Sequence, residues 1–361
     1  MTYACAPVDP RTHESVTREA VARRLAGLLG FGFAGEYDPA RRYAGSLYFV
    51  PSDTLIGRSR ARALGIRGPH DLFGAVAPHD FVATKSITHP LIDDAAAVPE
   101  GWSADCAQAM RPCVLEGYSA FERADARRAA LHLLEEGCAR VKRAAGIGGT
   151  GQFVVRDARE LDAALDQLDA AEIERFGVVV EQNLSEVRTH SVGRVEVAGM
   201  VITYCGTQCL ARSNHGAEVY GGSDLLVARG DFETLLALAI SPSAREAVDR
   251  ARRYDAAAQT HYPDLLASRR NYDVAEGLDT HGGRRIGVLE QSWRIGGASG
   301  AEVEALAVLQ ADPARKAVRA RTVELYGDGV KAPPGATVYY QDVDSRVGPL
   351  TKYTLVDHAD A

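Results

Sequence analysis

The chain has 361 residues, too many for one ordinary hydrophobic core, so two or three domains or lobes are expected. Apolar content of 46% and charged content of 25% are those of a soluble globular enzyme. A net charge of −7 argues against a nucleic-acid partner, because phosphate contacts require a basic face.

The N-terminal stretch "MTYACAPVDPRTHESVTREAV" has no charged region followed by an apolar one. No segment approaches the ~18 continuous apolar residues of a spanning helix, so no membrane partner and a cytoplasmic location are expected. Within residues 1–80, "TYACAPV" and "GSLYFVPSDTL" read as strands, and "ESVTREAVARRLAGLLG" and "RSRARALGI" as helices. Val16, Ala20, Val21, Leu25 and Leu28 make the stripe of the first helix, and Gly30 ends it. Alternation of this kind points to a small α/β domain with a parallel sheet. It carries no G-x-G-x-x-G, which argues against a dinucleotide site there.

"RADARRAALHLLEEG" is a helix ending at Gly137, and a short strand "CARVKRA" follows. Then come "GIGGTGQ", a strand "FVV", a helix capped by Asp157, and the β-rich run "FGVVVEQNL". Gly146, Gly148, Gly149 and Gly151 lower the chain's order at a cost in entropy. Their N–H groups suit phosphate oxygens, with Lys142 on the preceding strand adding charge; an ordinary hairpin is the other reading. Glu181 ends its strand either at an adenine edge or in solvent.

Residues 190–210 read as a hairpin turning near Ala198-Gly199, and the polar "RSNHGAEVYGGSD" as a loop. Helices are expected near 231–240 and 243–258, then two strands in "NYDVAEGLDTHGGRRIGVLEQSW", a helix near 301–325 and a closing strand "TVYYQDV". Asp273 and Glu290 lie on the two consecutive strands, where converging carboxylates repel unless a cation lies between them; oxygen ligands suit Mg²⁺. Asp273 at a solvated edge, with Glu276 or Asp279 as equal candidates, is the alternative. Glu290, Ser292 and Arg294 share one face of an extended chain. Arg294 reads as a salt-bridge partner or as a clamp for carboxylate or phosphoryl oxygens, and Trp293 as core. The six cysteines show no C-x-x-C. Cys205 and Cys209, ~13 Å apart on an extended run, read as buried hydrophobes rather than zinc ligands.

In chain order these pieces resemble the ATP-grasp superfamily, closest to the biotin carboxylase-like and carboxylate–amine (amino-acid) ligase branches. Lysine, a short gap, glycines and a strand are matched by "VKRAAGIGGTGQFVV", the hinge Glu-x-x-Leu by "EQNL", and the metal motif Glu-x-Asn-x-Arg by "EQSWR", followed by "RIGG". The resemblance implies an α/β fold with α+β lobes. A pre-grasp domain (1–80) would precede a central lobe with the glycine loop (81–185) and a C-terminal lobe with the metal site and closing strand (186–361). Lys142 would contact the α/β-phosphates and share catalysis with Arg294, while Gly146, Gly148, Gly149 and Gly151 close over them. Lys85 would be the first nucleotide lysine; Glu181, Asn183 and Leu184 would line the adenine, and Glu186 would meet the ribose. Asp273, Glu290 and Ser292 would hold Mg²⁺ or Mn²⁺, and Arg270, Asn214 and His215 would meet substrate. Ser292 stands where that family has Asn, and the Asp273–Glu290 connection is longer than usual.

The activity implied is an ATP- and Mg-dependent ligation of small-molecule carboxylate and amine (or thiol) substrates through an acylphosphate, and a homodimer is allowed. A kinase acting on a hydroxyl, or a nucleotide-binding module without turnover, are the alternatives.

Overall fold

The computed structural model describes residues 1–146 and 151–357. The N-terminal part holds β1 (Thr2–Tyr3), α1 (His13–Leu29), β2 (Val50–Pro51), β3 (Leu55–Ile56), α2 (Arg58–Ala63) and β4 (Ala75–Ala77). Its pairs β1–β2 and β3–β4 are parallel. Thr12 caps α1 and Gly30, at φ 69°, ends it, as the sequence pattern requires.

Next come α3 (Ala104–Met110), β5 (Gly117–Ala120), α4 (Arg123–Leu134), β6 (Ala139–Arg143), β7 (Gln152–Val155), α5 (Ala158–Leu165), α6 (Ala170–Phe176) and β8 (Val178–Gln182). The four strands form an antiparallel sheet in the order β5-β8-β6-β7. Val141, Val155, Val178 and Val180 close one face against Ala126, Ala130 and Leu133 of α4 and Leu161 and Leu165 of α5. The hydrophobic stripe of each helix has this sheet as its partner.

The remainder comprises β9 (Ser185–Val197), β10 (Met200–Arg212), β11 (Glu218–Arg229), α7 (Phe232–Leu236), α8 (Pro242–His261), β12 (Leu266–Ala267), β13 (Arg269–Leu278), β14 (Arg284–Ser292), α9 (Ser299–Ala311), β15 (Ala317–Tyr326), β16 (Thr337–Asp344) and β17 (Gly348–Asp357). Eight of these strands make one antiparallel sheet, β14-β13-β9-β10-β11-β15-β17-β16, while β12 joins β4. Strand alternation gives this sheet two buried faces. Val192, Cys205, Tyr272, Val274 and Val288 pack on one side with Ala247, Val248, Ala251 and Tyr254 of α8. Val195, Tyr204, Leu225, Val227 and Ala320 pack on the other with Val303, Leu306 and Leu309 of α9 and Val21 and Leu25 of α1.

Four sequence expectations are corrected. The stretch 212–224, read as a loop, belongs to the β10–β11 hairpin, which turns only over 213–217. The helix expected near 301–325 stops at Ala311, where Asp312-Pro313 breaks it, and residues 317–326 are β15. There Val318, Ala320 and Thr322 are buried while Arg319 and Arg321 are exposed, the period-two signal of a strand. The strand over 337–344 is followed by a further one, β17, so it is not the last. Cys205 is a buried hydrophobe, but Cys209, expected to be one, is exposed. Among the described residues no helix is long and apolar enough to cross a membrane.

Candidate active site

The site begins with a register. On the β13–β14 ladder Asp273 stands directly opposite Glu290, while Val274 stands opposite Val288. Leu289 is thus the extra residue of a β-bulge, a device that re-aims side chains beside functional sites. Leu289 turns toward Ala275 and packs with Leu115 and with Leu184 from the β8–β9 hinge. One bulge therefore sets an apolar floor, contributed by both sheets, beside a pair of carboxylates.

The alternative acids do not face this pair. Glu276 differs from Asp273 in strand parity and contacts His190 Nε2 (3.1 Å), Ser243 Oγ and Arg284 Nε (2.7 Å). Those bonds, the serine's first, hold its carboxyl down at about 2 despite burial. Asp279 accepts from the N–H groups of His281 and Gly283 and from Arg285 Nε, closing the β13–β14 turn. Asp273 is pushed the other way, up to about 6, by burial and then by Glu290, against hydrogen bonds that oppose the shift. Its Oδ1 lies 2.8 Å from Gln208 Nε2 and 3.0 Å from the Asn271 carboxamide.

Glu290 meets a cation already present in the chain: Lys85 Nζ is 2.8 Å from its Oε2. The same ammonium donates to Gly146 O at 2.8 Å and Arg143 O at 3.3 Å, at the base of the glycine loop. Gln291, on the other side of β14, donates to Val82 O and Thr84 O and so fixes the segment that carries Lys85. Gly148 and Gly149 lie outside the described residues. Gly151 has φ 70°, a conformation costly for any other residue, and an added Cβ would stand 2.4 Å from Arg143 Cδ.

Lys142 and Glu181 form an ion pair, both almost wholly buried, and His89 Nε2 lies 3.2 Å from the other Glu181 oxygen. Burial opposes the charge on Glu181, yet Lys142 and His89 hold its carboxyl below the usual range. Its carboxylate is thus committed within the protein. Asn183 Oδ1 accepts from Arg140 Nη2 at 2.7 Å. Glu186 is exposed at the start of β9 with φ 50°, about 16 Å along that strand from Ser191, the residue paired with Asp273.

Ser292 ends β14 opposite Asn271. Beyond it, buried Arg269 donates to the carbonyls of Ser292 (3.0 Å) and Arg294 and is paired with Glu302 of α9. This clamp shapes the "WRIGG" turn. The Arg294 side chain reaches toward the link between β2 and β3, 3.8 Å from Asp53 Oδ1. Arg270 is buried and paired with Asp255 at 2.9 Å. Asn214 Nδ2 donates to Pro349 O at 2.9 Å, and His215 is exposed at the same hairpin tip, so these two stand by the β16–β17 turn. Trp293 is core.

Two opposed carboxylates with an amide and a hydroxyl opposite each other beside them are an all-oxygen donor set suited to a hard divalent cation. His13, Glu14 and Asp344 also converge, but Asp344 accepts from the N–H groups of His13, Arg346 and Val347 and is a structural turn acid. Sequence reasoning missed Asn271, Gln208 and Tyr204. The Asn-x-Asp spacing of 271 and 273 on one strand face was the available signal.

The sequence matches the family described as "Protein of unknown function (DUF3182)" over residues 3–354. The chain belongs to that family. No curated protein matches it by sequence. Among solved structures, this DUF3182 chain is similar to a biotin carboxylase–βγ-ATP complex from Campylobacter jejuni, with a TM-score of 0.53 at 12% identity over 99% of this chain and 87% of that one. It is likewise similar to carboxyaminoimidazole ribonucleotide synthase from Aspergillus clavatus complexed with ATP (0.52, 11%, 99% and 93%). N5-carboxyaminoimidazole synthetase from Staphylococcus aureus gives 0.51 at 10% identity over 99% and 94%. The DUF3182 chain has the ATP-grasp fold.

Proposed function

We propose that this DUF3182 chain is an ATP- and Mg-dependent ligase that joins a small carboxylic acid to an amine or thiol through an acylphosphate. The observation that carries the reading is the Asp273–Glu290 pair across one ladder, beside Lys85 and the glycine loop. Leu115, Leu184 and Leu289 support a flat ring between the two sheets. Lys85 offers an ammonium group for the triphosphate, and Lys142 would have to exchange its Glu181 partner to offer a second. Asp273 and Glu290 would hold the cation, Mg²⁺ or Mn²⁺, which when bound neutralises phosphate charge.

The acid oxygen attacks the γ-phosphorus and ADP leaves; the amine or thiol then attacks the acyl carbon, phosphate leaves, and one proton is released. Positioning and charge supply most of such catalysis. Arg294 sits at the junction with the N-terminal domain, where it can take the acid's carboxylate. Phosphate release from ATP and Mg²⁺ across paired acids and amines tests this, and Glu290→Gln should lower it at least ~100-fold. ADP formed with all phosphate carried on an acceptor hydroxyl would mean a kinase. Tight ATP binding with no ADP from any acceptor would mean a module without turnover.

A further inference from the structure

The Asn271 carboxamide sits at the centre of a buried polar cluster whose protons can be counted. One of its ends lies 2.8 Å from Tyr204 Oη and 2.7 Å from Ser191 Oγ, and the other lies 3.0 Å from Asp273 Oδ1. Tyr204 Oη is also 2.6 Å from Glu302 Oε1. Glu302 is fully buried and its carboxylate oxygens accept from Arg269 Nε and Nη2, so it stands as an acceptor toward Tyr204. Tyr204 reaches this position because its ladder partner is Gly193, where an added Cβ would stand 2.3 Å from the phenol oxygen.

The two ends of a carboxamide have the same shape, so protons decide which end faces which neighbour. With Nδ2 toward Asp273, Oδ1 meets Tyr204, and the phenol must then donate to both Asn271 and Glu302. It has one proton. With the amide turned, Tyr204 donates to Glu302 alone, and the two N–H bonds of Nδ2 go to Tyr204 Oη and Ser191 Oγ. Oδ1 then faces Asp273 Oδ1, which also accepts from Gln208 Nε2, and two acceptor oxygens 3.0 Å apart call for a cation in common.

We infer that Asn271 Oδ1 is a ligand of the divalent cation held by Asp273 and Glu290, locked in that orientation by Tyr204 and Ser191. The inference rests on the metal reading proposed above. Asn271 is the ladder partner of Ser292, so the amide stands across the strand pair from the position where the metal motif has its asparagine. A carbonyl oxygen beside two carboxylates is the hard donor set that Mg²⁺ and Mn²⁺ accept.

The test is Mn²⁺ binding to the full chain by electron paramagnetic resonance, with ADP affinity measured separately in EDTA by calorimetry. Asn271→Leu should weaken Mn²⁺ by about 10–100-fold and leave metal-free ADP affinity unchanged. Asn271→Asp, which keeps an oxygen, should bind Mn²⁺ at least as tightly as the unaltered chain. Ser292→Asn added to Asn271→Leu should restore much of the loss, which a merely structural role for Asn271 would not produce. Equal Mn²⁺ affinity in Asn271→Leu and the unaltered chain overturns the inference while leaving the metal site standing. Absence of Mn²⁺ binding in the unaltered chain, matched by Glu290→Gln, overturns the metal reading and this inference with it.

Discussion

Replacing Asp273 by asparagine should stabilise the metal-free protein at neutral pH. Burial and the facing Glu290 raise its carboxyl from 3.8 to about 6. The folded value lies above the ordinary one, so between about pH 4 and pH 6 the folded state holds more protons than the unfolded chain. Stability therefore falls as pH rises through that window, and the full cost persists above it. A displacement of about two pH units is worth at most about 3 kcal/mol. Asp273 is only half-buried, so screening by water reduces this to about 1–2 kcal/mol. Over 361 residues that is about 1–3 °C in melting midpoint, at ~2.1 cal/mol/K per residue. Thermal melts in EDTA at pH 7.5 and pH 4 measure it: Asp273→Asn should melt higher than the unaltered chain at pH 7.5 and level with it at pH 4. Added Mg²⁺ should raise the unaltered chain and leave the variant unmoved. A variant that melts lower at pH 7.5, or that gains equally at both pH values, refutes the reasoning.

Lys142→Met leaves Glu181 buried and facing His89 without its main counter-charge, and urea unfolding should show a loss of about 3–5 kcal/mol; the double variant Lys142→Met/Glu181→Leu should be less destabilised than this single one. Gly297→Ala would place a Cβ 2.4 Å from the Tyr220 ring, whose hydroxyl is anchored to Ser223, whereas at Gly296 the nearest atom is 3.8 Å away. Gly297→Ala should cost about 1–3 kcal/mol in a thermal melt, and Gly296→Ala under half of that. Arg269→Met strips Glu302 of its guanidinium and frees the carbonyls of Ser292 and Arg294. It should lose about 3–5 kcal/mol by urea unfolding and show a higher KM for the acid.

Several element ends were legible because their signals are local. Gly30, Asp157 and the Ala198-Gly199 turn mark ends that the structure also marks. The opposition of Asp273 and Glu290 could be anticipated from two strands and one turn. What kept them aligned could not, because Leu289 is a bulge only by reference to the partner strand. Asn271 was hidden for a related reason: its importance comes from Tyr204 on β10 and Glu302 on α9, far apart in sequence and joined by the ladder over Gly193. Glu181 shows the converse. Read as an adenine or solvent group, it is held inside by Lys142 and His89, a contact that strand-end propensity does not encode. β15 was misread although its alternation was plain, because the Ala-rich α9 before it outweighed Asp312-Pro313.

The central claim is that the seam between the two sheets makes an acylphosphate from ATP. Incubating the protein with ATP, Mg²⁺, a panel of carboxylic acids and hydroxylamine as the nucleophile tests it most directly. The account predicts a hydroxamate in at least one acid's reaction, formed with equal amounts of ADP and phosphate and lost in Glu290→Gln. ADP formation with no hydroxamate from any acid, or hydroxamate formation undiminished in Glu290→Gln, would contradict it.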